Sequence, residues 1–128
     1  MKTQPDAAKL LAVARATLND KLLPHLPEEL RYDALMIANA IAIAIREYAA
    51  GDAPVQAELA RLQVLFAESG SALAGEALKT VLADHNRRLA TAIRDGRFDD
   101  KERATLLDHL ARTTADELAI SNPKALDR

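Results

Sequence analysis

A run of twelve residues in the first half of the chain constrains the fold more than any other feature. Within "YDALMIANAIAIAIREYAAG", residues 32–51, positions 34–45 hold eleven apolar side chains and a single polar one, Asn39. The run is too short to cross a bilayer, which takes about 20 apolar residues. A helix that is apolar on every side is usually buried inside a protein. We therefore predict that this segment is the buried central helix of a bundle.

The composition favours a helical domain with an aliphatic core. The chain has 128 residues, of which 49% are hydrophobic and only 3% aromatic. A chain of this length suits one domain, so we predict a single domain over residues 1–128. Because aromatic residues are scarce, the core must be built from Leu, Ile, Val and Ala, and an alanine-rich composition of this kind favours close-packed helices over sheets.

Charge and cysteine content argue against several classes of function. The net charge is −2, from 17 basic and 19 acidic residues, whereas duplex nucleic acid needs a clustered basic excess. The absence of cysteine excludes disulfides, thiolate catalysis and cysteine-ligated zinc. The N-terminal residues are not a convincing signal peptide. We expect a cytoplasmic protein whose partners include neither nucleic acid nor a membrane.

Apolar periodicity and helix-stop residues predict five helices. Their predicted bounds are 4–22, 27–50, 54–70, 76–95 and a last helix from just after Asp99 to Asn122. Pro24, Gly51 and Gly96 are the expected stops of the first, second and fourth. The linkers are short, which favours antiparallel neighbours. The predicted fold class is all-α, an up-and-down bundle of about five helices with a buried central second helix.

Two of these helices have a capping-box pattern at their start, in which a side chain at the cap is answered by an acidic residue three positions later. Thr3 and Asp6 form this pattern before the first helix, and Asp99 and Glu102 form it before the fifth. We therefore expect Thr3 and Asp99 to be the capping residues.

Polar residues on apolar helix faces are the candidate functional positions. Residues seven apart on a helix lie about 20° apart around its axis, so Tyr32, Asn39 and Arg46 share one stripe. Asn86 lies on the apolar face of the fourth helix. An unsatisfied buried amide costs about 1–3 kcal/mol, so both asparagines need partners. They either bond each other, backbone or water and fix helix register, or line a ligand cleft between helices.

Four arginines follow in the second half of the chain: Arg87, Arg88, Arg94 and Arg97. Arg87 and Arg94 are seven apart and line one flank of the fourth helix. Arginine forks match phosphate oxygens, so a phosphate-bearing ligand could bind there. Interleaved aspartates allow the alternative of a solvated charged face. The candidate ligand-binding or buried polar site comprises Tyr32, Asn39, Arg46, Asn86 and Arg94.

No catalytic constellation is legible in the sequence. The three histidines, His25, His85 and His109, have none of the Glu-x-x-His or His-x-x-x-His spacings that helical metal sites use. Four glycines form no phosphate-binding loop. We predict no metal site, no catalytic residue and no cofactor, and an enzyme is the least favoured class.

The chain resembles an uncharacterised family of small all-helical bacterial proteins, a domain of unknown function. The resemblance rests on "LLPHL", "LRYDALMIANAIAIAIREY", "HNRRLATAIRDGRFDD" and "LAISNPKAL", at 22–26, 30–48, 85–100 and 118–126. It implies a role in acyl-CoA metabolism, because members of that family tend to be encoded beside acyl-CoA dehydrogenases and kinases similar to aminoglycoside phosphotransferases. It implies no catalytic residues.

Three hypotheses follow for the function. The first is a non-catalytic accessory or interaction module whose partner is an acyl-CoA dehydrogenase or a phosphotransferase-like kinase. The alternative is a binding protein for an acyl-CoA or another phosphate-bearing ligand, with a cleft between helices. The third is a homo-oligomeric helical assembly that uses an exposed stripe on the first or third helix.

Overall fold

Helices account for most of the chain, and the predicted all-α class is confirmed. The structure is a computed structural model that describes residues 6–70 and 73–127. The helices are α1 (Ala7–Thr17), α2 (Glu28–Ala50), α3 (Ala53–Leu65), α4 (Gly75–Arg94) and α5 (Arg103–Ser121). Shorter helical turns follow α1 and α5, and the described residues include no strand. No single described helix is long and apolar enough to cross a membrane.

The second helix begins and ends close to the predicted positions, whereas α1 ends at Thr17, five residues before the predicted end at 22. The Asp6 carboxylate caps α1 by accepting a 3.0 Å hydrogen bond from the Lys9 N–H, while the predicted cap Thr3 lies outside the described residues. The chain continues from α1 through a wider π-helical turn and a short 3-10 turn that contains Pro24. Helix α2 ends at Gly51, whose φ of +59° is accessible to glycine at little cost.

The later helices differ from the prediction at two ends. Helix α3 ends at Leu65, about five residues before the predicted stop, because the chain turns at Ala67 with a φ of +53°. Helix α5 begins at Arg103 rather than just after Asp99, and Glu102 makes no side-chain cap. The predicted Asp99–Glu102 capping box is therefore wrong. Asp99 instead follows Gly96 in a tight turn, in which the Asp99 N–H donates to the Gly96 carbonyl oxygen at 3.2 Å.

The helices form two compact units, Met1–Gly51 and Asp52–Arg128. In the first unit α1 packs against α2, and the buried residues of α2 are Ala34, Ala38 and Ala42, four apart on one stripe. The larger side chains Leu35, Met36 and Ile37 are between 52% and 54% exposed. The predicted burial of the second helix is thus not confirmed, because only a narrow alanine stripe is fully buried.

The second unit has an aliphatic core to which α3 contributes on two sides. Helix α3 packs against both α4 and α5. The central cluster comprises Leu62, Leu65, Leu89, Phe98 and Leu106. Leu62 and Leu78 are the largest side chains with essentially no exposed surface. Aliphatic burial of this kind is the main stabilising term that a small helical unit has available.

Helices α3 and α4 run parallel. At their starts, the Gly75 N–H donates to the Asp52 carboxylate at 3.1 Å. At their ends, Arg97 donates to the carbonyl oxygen of Leu65 at 3.3 Å. Residues 66–74 can connect them in this way, because an extended chain of that length reaches about 30 Å and α3 is about 20 Å long. The predicted antiparallel arrangement is wrong for this pair, and the turn that follows α4 reaches the end of α3.

Candidate functional site

The end of α3 is a turn in a backbone conformation that is unusual for its residue type. Ala67 has a φ of +53°, a left-handed conformation that most often falls to glycine. The Ala67 N–H donates to the Val64 carbonyl at 3.0 Å, and the Glu68 N–H donates to the Gln63 carbonyl at 2.8 Å. These two bonds form a Schellman motif, which satisfies helix-end carbonyls. The turn fixes the backbone of Phe66 and Glu68 on either side of Ala67.

The end of α4 repeats the same motif beside it. Gly96 has a φ of +82°, and its N–H donates to the Ile93 carbonyl at 3.1 Å. The N–H of Arg97 donates to the Ala92 carbonyl, also at 3.1 Å. Because the two helices are parallel, the Arg97 guanidinium also reaches the carbonyl oxygen of Leu65 at the end of α3. A cation at this position offsets the negative ends of the helix dipoles.

The Phe66 ring is the centre of this region. Its centroid lies 4.5 Å from the guanidinium carbon of Arg88 and 5.0 Å from that of Arg97, which are cation–π distances. The rings of His85 and Phe98 approach it edge-on, each with its centroid at 6.4 Å. These contacts hold two arginines over one apolar surface.

An open cleft of about 550 Å³ lies over this surface, within the range of small-molecule sites. Its lining residues are Phe66, Arg87, Arg88, Thr91, Ala92, Asp95 and Arg97. Three positive charges therefore face one negative charge across a floor formed by a phenylalanine and an alanine. The arrangement suits an anion that also has an apolar part.

The three arginines of the cleft differ in their partners. Arg88 Nη1 donates to both carboxylate oxygens of Glu68, at 2.9 and 3.1 Å. Arg87 lies 3.4 Å from the Asp84 carboxylate one turn away, and both side chains are more than half exposed. Arg97 has no carboxylate partner within the ranges that the structure describes. Arg87 and Arg97 are therefore more available than Arg88 for an added anion, since an exposed pair such as that of Arg87 contributes little.

Glu68 and His85 complete the polar network next to the cleft. The hydrogen bond from Arg88 lowers the pKa of the Glu68 carboxyl, burial opposes this shift, and the charges of Arg88 and His85 lower the pKa further. His85 is buried, and its Nδ1 lies 3.0 Å from the Val81 carbonyl oxygen. That oxygen can only accept, so Nδ1 carries a proton and Nε2 faces Glu68 at 3.4 Å.

Comparison with known proteins identifies the family. The model described as "Domain of unknown function (DUF6285)" matches residues 24–125. The chain belongs to the DUF6285 family. The match spans all of α2 and all but the last three residues of the second unit, so the cleft lies entirely inside the family domain. No curated protein and no solved structure matches the chain.

Three of the predicted site residues lie in the first unit of this DUF6285 protein. Tyr32 is 69% exposed, Asn39 is exposed and Arg46 is half-buried. The exposure of Asn39 differs from the expectation of an inward-facing amide. The reason is geometric, because the buried stripe of α2 is limited to positions four residues apart, and the next residue after Ala38 turns about 100° away from it.

The other two predicted residues lie on α4. Asn86 is exposed, and its side-chain amide donates to the Glu58 carboxylate at 3.0 Å. It lies on the opposite flank of α4 from Arg88, because two positions along a helix turn the side chain by about 200°. Arg94 donates to the Thr91 hydroxyl at 3.3 Å and so contacts the cleft lining. Ligand binding by the five predicted residues stays a prediction.

The sequence analysis missed two polar features that arise only when the chain folds. One is Glu68, which was assigned to the predicted third helix and in fact follows its final turn. The other is a cluster between α3 and α5, in which Arg61 donates to His109 Nδ1 at 3.1 Å and to the Thr113 hydroxyl at 3.0 Å. Burial and the nearby charge of Arg61 lower the pKa of His109. The signal available in the sequence was His109 on the same face as Leu106.

Proposed function

We propose that this DUF6285 protein is a non-catalytic binding protein that takes the phosphate-bearing part of a small molecule into the cleft over Phe66. The observation that carries the proposal is the convergence of three arginines on one cleft of small-molecule size. Guanidinium groups bind phosphate oxygens through paired hydrogen bonds, and such charge-assisted bonds are stronger than neutral ones.

The cleft residues would act in different ways. Arg87 is exposed and weakly paired, so its guanidinium can turn toward an incoming phosphate at little cost. Arg97 is held against the rings of Phe66 and Phe98 and by the Leu65 carbonyl, so it presents a fixed positive charge. Pre-ordered groups lose less entropy on binding than mobile ones. The Phe66 floor would contact the apolar part of the ligand.

An acyl-CoA is the ligand class that we propose. Coenzyme A carries several phosphate groups and an extended, largely uncharged arm, which match the arginines and the open apolar floor. The neighbourhood implied by the family resemblance, beside acyl-CoA dehydrogenases and phosphotransferase-like kinases, supports the same class. Under this proposal the protein is a cytoplasmic bacterial accessory of acyl-CoA metabolism.

Calorimetric titration with coenzyme A tests the proposal, with pantetheine as the matched ligand that lacks phosphate. We expect binding of coenzyme A and none of pantetheine. Arg87→Gln should weaken binding about tenfold or more, because loss of a charge-assisted hydrogen bond costs about 1.5–3 kcal/mol. Arg112→Gln is the control variant, since Arg112 lies on α5 and pairs with Asp108 on the same helix at 2.9 Å.

Two results would contradict the proposal. Equal affinity for coenzyme A and pantetheine would show that phosphate is not recognised. Equal weakening by Arg87→Gln and Arg112→Gln would show a general charge effect rather than a site. A stability assay gives an independent check, because a ligand at 100 times its dissociation constant adds about 2.7 kcal/mol to the free energy of unfolding.

A partner protein is the second proposal, and the exposed surface of the first unit supports it. Leu10, Val13, Met36 and Ile37 are each more than half exposed. Where exposed apolar side chains form one patch, they are typical of protein–protein contact surfaces. We propose an acyl-CoA dehydrogenase or phosphotransferase-like kinase as the partner, and a second copy of this chain as the competing occupant.

Co-purification with the tagged protein from its host distinguishes these partners. We expect the dehydrogenase or the kinase to be recovered with the wild type and lost with Ile37→Lys. Glu47→Lys, an exposed change on the same helix, is the control. Recovery of neither enzyme contradicts the proposal, and sedimentation as a dimer would favour self-association instead.

A further inference from the structure

The carboxylate of Glu68 lies where an anionic ligand of Arg88 would lie. Both of its oxygens accept from Arg88 Nη1, and one of them is also 3.4 Å from His85 Nε2. Arg88 in turn lines the cleft and rests on Phe66. The chain therefore places its own anion on one of the three arginines proposed to bind phosphate.

We infer that Glu68 is a built-in competitor, which occupies Arg88 in the free protein and is displaced when a phosphate-bearing ligand enters the cleft. The inference rests on the proposed function and adds its regulation. Displacement replaces the pair of Arg88 and Glu68 by a pair of Arg88 and the ligand. The affinity for the ligand therefore depends on the difference in free energy between these two charge-assisted pairs. A phosphate with two negative charges can displace Glu68 from Arg88. A ligand with a single carboxylate binds Arg88 no more strongly than Glu68 does and has little tendency to displace it.

The local structure permits Glu68 to leave without unfolding the turn. Its backbone is held by the N–H bond to the Gln63 carbonyl and by the left-handed turn at Ala67, neither of which involves the carboxylate. One-third of the Glu68 side chain is exposed, so water can solvate the carboxylate once it turns away from Arg88. Displacement thus needs only rotation of a side chain.

The position of Glu68 also runs against the helix electrostatics. An acidic residue just past the end of a helix faces the negative end of the dipole, where a cation is normally favoured. Glu68 comes three residues after Leu65, the last residue of α3. The Arg88 contact offsets this cost, and the lowered pKa of Glu68 agrees with a site that favours negative charge. A local conflict of this kind is typical of functional positions.

Calorimetric titration of Glu68→Gln with coenzyme A tests the inference, at the same ionic strength as the wild type. We expect about tenfold tighter binding, because the uncharged amide competes poorly for Arg88. Glu117→Gln is the matched control, since it changes the net charge equally from an exposed position on α5. In an Arg88→Gln background, Glu68→Gln should no longer change the affinity.

Each outcome decides a separate point. If the wild type binds coenzyme A and Glu68→Gln binds equally or more weakly, the competitor role is wrong while the binding proposal stands. If Glu68→Gln and Glu117→Gln tighten binding equally, net charge is the cause and the competitor role is again wrong. If neither the wild type nor Glu68→Gln binds, both proposals fall. Glu68→Asp, which keeps the charge on a shorter side chain, should bind no more weakly than the wild type, and weaker binding would overturn the inference even if Glu68→Gln did not fold.

Discussion

The two units of the chain bury different kinds of side chain. The first covers three alanines of α2 and leaves Leu35, Met36 and Ile37 more than half exposed. The second buries leucines from all three of its helices, together with Phe98. Burial of a large aliphatic side chain contributes about 1.5–3 kcal/mol, whereas an alanine contributes only a fraction of that. Local stability should therefore be concentrated in the second unit.

The two units also differ in the kind of surface that they present to other molecules. The second unit has a leucine-rich core, although Val64 and Leu107 are more than half exposed. Its cleft presents arginines near the ends of α3 and α4. The first unit keeps its large apolar residues on the outside. A rigid core positions charged groups precisely, while an exposed apolar face suits contact with another protein.

The largest expected effect is that of Leu62→Ala in the second unit. Leu62 is fully buried in the central cluster, and removal of three side-chain carbon atoms from such a site costs about 2–5 kcal/mol of stability. Leu35→Ala in the first unit, the matched change at an exposed position, should cost about 0.5 kcal/mol or less. Urea unfolding measures both, and equal losses would remove the contrast between the units.

Overpacking of the alanine stripe comes next. Ala38→Leu adds a large side chain at a buried position of α2 and should cost about 1–3 kcal/mol. Ala40→Leu makes the same change at an exposed position of the same helix and should be nearly neutral. Thermal unfolding followed by circular dichroism compares them. A tolerated Ala38→Leu would mean that the stripe does not set the packing of the first unit.

Glycine substitutions at Ala67 and Ala60 compare a left-handed turn with a helical position in the second unit. Ala67→Gly should raise the free energy of unfolding by about 1 kcal/mol, because glycine adopts a positive φ without the steric cost. Ala60→Gly, on the exposed side of α3, should lower it by about the same amount. Opposite signs in urea unfolding confirm the left-handed turn, and a loss at both positions would argue against it.

The smallest expected effect is a pH dependence of the second unit. The folded pKa of His109 lies below its value of about 6.5 in the unfolded chain, so folding favours the neutral ring. The resulting stability is present above the unfolded pKa and is lost as the pH falls toward the folded one. Unfolding measured between pH 7 and 5 should show this loss.

The His109→Gln variant should show a flatter pH profile, because glutamine does not titrate but its side-chain oxygen can still accept from Arg61. His25→Gln, in the exposed turn of the first unit, is the control variant. A profile unchanged in His109→Gln would assign the pH dependence to other groups.

The sequence alone determined the helical class and most of the helix bounds. The positions of proline and glycine predicted the ends of α2 and α4 to within one residue. Pro27, Gly51 and Gly96 restrict or relax the backbone through local steric effects alone. The basic set around Arg87 was visible as well, since it lies within one helix and the turn that follows it. These features depend on contacts between residues that are close in sequence.

Tertiary structure alone decided which faces are buried and which residues meet. The run from 34 to 45 reads as a buried helix, yet burial depends on what packs against it, and only Ala34, Ala38 and Ala42 are fully buried. The cleft arises because α3 and α4 end side by side, so Phe66 and Glu68 meet Arg88 across about 20 positions of sequence. Parallel packing of two consecutive helices is set by the long connection and the shared core, which no local pattern encodes.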